Sequence, residues 1–245
     1  MRKSLVFVVL LAAGCEQDLL ADVHDAGPDG PPDAAHCTAP LTDAHAPAMH
    51  TLYINFDGVT LTHCNKANAP GNCSDIVQGD TTFPPFMDGL PARDGYITWI
   101  VDAVKQSLAP YSIDIVTTRP APGTSYYMTV FGGTPALVGA DDTVGGISPF
   151  TCSAANRNLV SMIFDFGENR TTYDYASSVL SDLAMMAGLP GTTGPNNDCA
   201  CRSCAYDQYQ LCTYGVDSPT IPDEHSCGLT TADEPALLRA SLGCR

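Results

Sequence analysis

Between residues 50 and 190 the apolar positions form short, dense runs that alternate with two stripes at helical spacing. Residues 51–56, Thr-Leu-Tyr-Ile-Asn-Phe, read as a strand ended by Asp57 and Gly58. Ile97, Ile100, Val101, Val104 and Leu108 then recur at steps that place them on one helix face, and Pro110 sets the limit of that helix. Residues 113–118, 126–131 and 159–166 are three further strand candidates, closed by Pro120, by Gly132 with Gly133, and by polar residues, respectively. Ala176, Val179, Leu180, Leu183 and Ala187 make a second helical stripe that Gly188 and Pro190 stop. From residue 191 the pattern lapses into a loop-rich tail that carries Cys199, Cys201, Cys204, Cys212, Cys227 and Cys244. This order predicts an α/β (α+β) fold: a mixed sheet, two main helices and a disulfide-rich C-terminal loop region.

The N-terminus has a different logic. Arg2 and Lys3 precede an apolar run over residues 5–13, and Gly14 and Cys15 follow. A charged start, a short apolar stretch and small residues at the cut describe a secretion signal, and the run is well short of the roughly 20 residues that span a bilayer. Residues 11–15, Leu-Ala-Ala-Gly-Cys, resemble a bacterial lipobox, which implies a signal peptide over residues 1–14 and lipidation of Cys15. Glu16 is not the aspartate associated with inner-membrane retention, so the expected location is the cell envelope, as an outer-membrane lipoprotein facing periplasm or exterior. Residues 15–49, rich in Asp, Ala, Pro and Gly, carry no periodicity that could bury a face and read as a flexible tether. The folded domain is expected over residues 50–245.

Cysteine and charge narrow the picture further. Of 11 cysteines, assigning Cys15 to lipid leaves an even set, Cys37, Cys64, Cys73, Cys152, Cys199, Cys201, Cys204, Cys212, Cys227 and Cys244, expected to pair as disulfides in an oxidising compartment. Connectivity is open at this stage. Losing Arg2 and Lys3 with the leader turns a formal charge of −16 into −18, a poor surface for nucleic acid. Only Lys66 and Lys105 then remain as lysines, so the expected membrane contact is the lipid itself rather than a basic patch.

The order of strand, long helix, three strands, second helix and cysteine-rich tail, together with residues 181–191, resembles the secreted bacterial metzincin-like zinc metalloproteases over residues 52–214. In that family the second helix carries His-Glu-x-x-His-x-x-Gly-x-x-His, with two histidines one turn apart and a third beyond a glycine turn. The resemblance puts Ser181, Met185 and Gly191 at the histidine positions, Asp182 at the glutamate and Gly188 at the turn. Serine hydroxyl and thioether are poor zinc donors and glycine offers none, so no metal is expected there. Asp182 is a methylene shorter than glutamate, a shortfall of about 1 Å that alone costs on the order of 100-fold in rate. Residues 210–214 resemble the methionine turn beneath the family's metal, with Cys212 in place of methionine.

The resemblance therefore implies a degenerate, non-catalytic domain: no intact catalytic residues, no cofactor, and a cleft free to bind a protein, peptide or glycan. Two other readings stay open. One is a metalloprotease with substituted ligands, holding zinc through Asp182 with His225 or with Asp223 and Glu224; the other is a structural disulfide-rich module unrelated to zincins, with no cleft beside the second helix and no strand along one. Asp141 and Asp142 read as solvated turn residues rather than a calcium site, and the Cys199, Cys201, Cys204 cluster as disulfides rather than a thiolate metal site. Ser177, Ser178 and Ser181 have no nearby histidine in sequence, and no Gly-x-Ser-x-Gly elbow or phosphate-binding glycine loop is present.

Overall fold

The structure, a computed structural model, describes residues 50–153, 155–194, 197–202 and 208–245. The leader, Cys15, the tether with Cys37, and Cys204 lie outside the described residues. Those described belong to one compact unit. No helix among them is long and apolar enough to cross a membrane.

The chain opens with β1 (His50–Asn55), then makes a small sheet from β2 (Val59–His63), β3 (Cys73–Ser74) and β4 (Thr81–Phe83), in which β2 pairs parallel with β3 and antiparallel with β4. Cys64 and Cys73 form a disulfide beside it. The first long helix, α1 (Arg93–Leu108), leads to β5 (Ile113–Val116), β6 (Tyr127–Phe131), β7 (Gly146–Ile147) and β8 (Val160–Ile163). The second, α2 (Thr172–Met186), is followed by β9 (Ser218–Pro219), β10 (Thr231–Ala232) and α3 (Glu234–Leu242). The main sheet has the order β5-β1-β6-β8-β7. Its first four strands run parallel, and β7 turns back antiparallel to β8 as the edge. The fold is α+β, as the sequence pattern predicts.

Burial explains why these segments are strands. All of β6 and β8 is buried, as is β1 except Thr51, because a parallel strand inside a sheet is covered on both faces. The run of apolar residues is interrupted by Thr129 and Ser161, whose hydroxyls hydrogen-bond each other at 3.0 Å across β6 and β8. Helices α1 and α2 pack against one another and against the main sheet. Ile100, Val104 and Leu108 of α1 and Val179, Leu180 and Leu183 of α2 are at most 1% exposed. Phe56, Phe86, Phe131 and Tyr175 form an aromatic cluster, with Phe86 edge-on to Tyr175 at 5.0 Å, that ties the segment after β4 to the sheet and to α2.

The second helix starts and stops where local chemistry says it should. Thr171 caps it by accepting from the Asp174 backbone N–H. Gly188, at a φ of 91°, takes the left-handed conformation that ends a helix, and the Leu189 N–H returns to the Ala184 carbonyl at 3.0 Å. The tail holds more order than its sequence suggests. Asp233 caps α3 by accepting from Ala236 N–H, Pro235 occupies the first turn, and Leu238 and Leu242 are fully buried. Disulfides join Cys152 to Cys227 and Cys199 to Cys212, and Cys201 and Cys244 are also disulfide-bonded.

Candidate functional site

A cleft of about 620 Å³ lies between α2 and the edge strand β7. Its helix wall is built from Asp174, Ser178, Ser181, Asp182 and Met185, which fall on one face at helical spacing. Its opposite wall is Gly145, Gly146, Ile147 and Ser148, and Arg170 and Arg202 close its rim. The Ser148 hydroxyl donates to the Asp182 carbonyl at 3.1 Å and so pins the end of β7 to the helix.

Arg170 fixes the distance between the walls. Its guanidinium donates to the Gly145 carbonyl at 3.0 Å on the strand side, and to the Asp174 carbonyl at 3.3 Å and the Ser178 hydroxyl on the helix side. It also lies 4.9 Å from the centre of the Tyr175 ring.

Of the five motif positions, Ser181, Asp182 and Met185 line this cleft, and Gly188 ends the helix that carries them. Gly191 lies just beyond, tied into the tail by its N–H to the His225 carbonyl at 2.8 Å and by its carbonyl, which accepts from Ile221 N–H at 3.0 Å. The space a side chain at 191 would take is filled: a Cβ there would meet Arg202 Cδ at 2.9 Å and Cγ at 3.1 Å. The three positions assigned to zinc ligands thus offer a hydroxyl, a thioether and the methylene stem of an arginine. That set, with two guanidinium groups at the rim, does not fit zinc.

Asp182 has turned inward. It is 6% exposed, hydrogen-bonds Ser161, which in turn meets Thr129, and leaves Oδ2 without a partner. Burial pushes its carboxyl up to about 7, against the pull of the Ser161 hydrogen bond and of Arg170. Its carboxyl is thus a buried polar group held at Ser161, while its backbone carbonyl meets Ser148 at the cleft.

Two of the three serines of α2 are held by contacts within the fold. Ser177 accepts from Cys212 N–H at 3.0 Å, and Ser178 donates to the Asp174 carbonyl at 2.9 Å. The segment around Cys212 therefore runs beneath α2, where the Tyr214 hydroxyl reaches the Leu180 carbonyl at 2.9 Å. Cys212 itself is spent in the disulfide with Cys199.

Asp223, Glu224 and His225 place one ligand atom each within 4.8 Å of one another, whereas Asp182 is not part of that group. His225 Nδ1 is hydrogen-bonded to Asp223 Oδ1 at 2.9 Å, and the same oxygen accepts the His225 backbone N–H at 2.7 Å. The ring packs edge-on against Phe150 at 4.7 Å. These contacts describe a local turn, and Asp141 and Asp142 are exposed turn residues before β7.

Sequence reasoning placed the helix wall and missed the rest: β7, Arg170 and the Arg202 plug. Gly145 and Gly146 were the available signal, since a strand that must let an arginine lie against its backbone favours glycine. A Cβ on Gly145 would come within 3.1 Å of the Arg170 guanidinium. No family model and no curated protein sequence matches this chain.

Proposed function

We propose that this is an exported, lipid-anchored binding protein whose metzincin-like domain has lost its catalytic centre and uses the cleft between α2 and β7 to hold an extended peptide segment of another protein. The observation that carries this reading is the convergence of Ser181, Asp182 and Met185 on one cleft with Arg202 plugging the place of a side chain at Gly191. A strand at the open edge of a sheet offers unpaired backbone groups, and a peptide laid along it gains main-chain hydrogen bonds without any chemistry from the helix. The presence of both a cleft beside α2 and a strand along it also counts against a purely structural module, which calls for neither. Support for the family resemblance comes from the parallel sheet with one antiparallel edge strand at the cleft, and from the Cys212 segment passing beneath the helix. The lipid on Cys15 holds the domain at the envelope surface, and the acidic tether sets its reach.

The test uses the mature protein with Cys15→Ser, panned against a random peptide display library. Enriched peptides should bind the parent protein and lose at least 10-fold in affinity to Met185→Trp, which fills the cleft from a half-buried position on its wall. Peptides that bind parent and variant alike would remove the cleft from the account. The register of the resemblance is tested separately. Replacing Ser181, Met185 and Gly191 by histidine together with Arg202→Ala should create zinc affinity in a folded protein, and a folded variant without zinc affinity would contradict that register.

A further inference from the structure

The tail is joined to itself through two buried acids. Asp198, in the loop with Cys199 and Cys201, is 3% exposed, and Glu234, the first residue of α3, is fully buried. The two acids meet at Gly215, whose N–H donates to Glu234 Oε2 at 3.1 Å and where an added Cβ would lie 3.7 Å from Asp198 Oδ2. Hydroxyl and amide donors among the described residues reach them. Asp198 accepts from the Thr192 hydroxyl at 3.0 Å and from Ala200 N–H at 2.8 Å. Glu234 Oε2 accepts from Gly215 N–H at 3.1 Å, and the Ser218 hydroxyl also hydrogen-bonds this carboxyl group. Glu234 Oε1 is buried and has no hydrogen-bond partner among the described residues.

Ionised carboxylates are acceptors only, so two of them facing each other cannot form a hydrogen bond. Two adjacent buried negative charges without a cation are also far more costly than one. One proton resolves both problems. On Glu234 it turns an acceptor into a donor, and it leaves a single charge that hydroxyl and amide donors can meet.

We propose that Glu234 and Asp198 share one proton in a carboxyl–carboxylate clasp that fastens α3 and the β9 segment to the Asp198 loop, and that alkaline conditions open it by removing that proton. Among the described residues, the other titratable groups nearby are engaged or exposed. On α3, Asp233 spends its carboxylate on Ala236 N–H, and Arg239 is exposed farther along. Before β9, Asp217 is exposed; the Cys199–Cys212 disulfide does not titrate; and the Tyr214 hydroxyl donates to Leu180. Asp198 is the charged group that acts on Glu234.

Burial first, and then Asp198, push the Glu234 carboxyl from its ordinary 4.5 up to about 9. The folded chain thus binds a proton that the unfolded chain has released. The stability this supplies is complete below about 4.5 and is lost progressively as pH rises toward 9. Opening stays local, because Cys199–Cys212 and Cys152–Cys227 keep the loops attached. It reaches the cleft nonetheless: Cys201 and Arg202, a few residues beyond Asp198, are part of its lining. The clasp does not depend on what the cleft binds.

The test compares melting temperatures from pH 5 to pH 9.5 in the Cys15→Ser protein, with Glu234 intact or changed to Gln. A glutamine amide donates to Asp198 at every pH. The intact protein should therefore fall relative to Glu234→Gln by about 5 °C or more across this window and level off above pH 9. Asp182 contributes the same slope to both and cancels from the difference. Asp198→Asn, whose amide can donate to an ionised Glu234, should flatten the curve in the same way and guards against a Gln variant that misfolds. Carboxyl 13C NMR of the unmodified Glu234 should show a protonated group at pH 7. Parallel melting curves for all three proteins, an ionised Glu234 at pH 7, or calcium-dependent stabilisation that chelator reverses and Glu234→Gln abolishes would each overturn the shared proton.

Discussion

The sheet with its two long helices and the cysteine-rich tail solve the same problem with different means. In the first region, Ile54, Val130, Met162, Leu180 and their neighbours are fully buried, and apolar area removed from water holds the layers together. In the second, the buried positions include Thr192, Asp198, Ser218, Thr220 and Glu234, and disulfides that include Cys152–Cys227 and Cys199–Cys212 tie the segment. A chain with too few large apolar residues to build a second core can still fix its loops by cross-linking them and satisfying their polar groups internally. The cleft sits where the two regions meet, with α2 and β7 from the first and Cys201 and Arg202 from the second. Both walls therefore belong to the packed region, and the tail contributes Cys201 and Arg202 to the lining.

That contrast can be broken from either side. Leu180→Ala, on the buried face of α2, should cost about 2–5 kcal/mol and lower the urea midpoint of the whole domain. Cys199→Ala with Cys212→Ala removes a link that closes 13 residues and should cost roughly 3 kcal/mol. Its signature is different: protease sites in the tail should open while the sheet stays protected. If the double variant instead unfolds the sheet at the same denaturant concentration, the two regions are one cooperative unit.

A smaller effect sharpens the role of Asp182. Its carboxyl is raised from 3.8 to about 7, so the stability it adds is complete below 3.8 and is lost as pH rises through 7. Asp182→Asn should remove that slope between pH 4 and pH 7.5, seen in melting temperature, with little loss of fold because Asn still accepts from Ser161. An unchanged slope would mean that Asp182 is ionised and engaged in the cleft. The smallest expected difference separates the helix caps. Thr171→Ala and Asp233→Ala should each cost about 1 kcal/mol at their own helix. The first should appear in global unfolding and the second mainly as faster exchange of amides in α3.

The legible part of this fold was the part with long patterns. The stripes at 97–108 and 176–187 became α1 and α2, and the four strand candidates became β1, β5, β6 and β8, because each buries enough apolar surface to impose a period. β3 and β7 have two residues each, and β2 and β4 bury one residue each, so they left no apolar run to read. The helix α3 was hidden by brevity, though Asp233, Pro235, Leu238 and Leu242 spell a cap, a first turn and an apolar face. At the site, the face shared by Ser181, Asp182 and Met185 follows from helix geometry alone. Arg170 and Arg202 could not be placed by sequence, because both enter the cleft from loops whose positions depend on tertiary contacts. The acid pair Asp198 and Glu234 was invisible for the same reason.

The most direct measurement of the central claim is the zinc content of the mature Cys15→Ser protein, oxidised, equilibrated with excess zinc and desalted. A dismantled centre gives no more zinc than a matched blank in a protein that melts cooperatively. One equivalent of zinc that chelator removes would contradict a dismantled centre, and its loss in His225→Ala would move the metal to Asp223, Glu224 and His225.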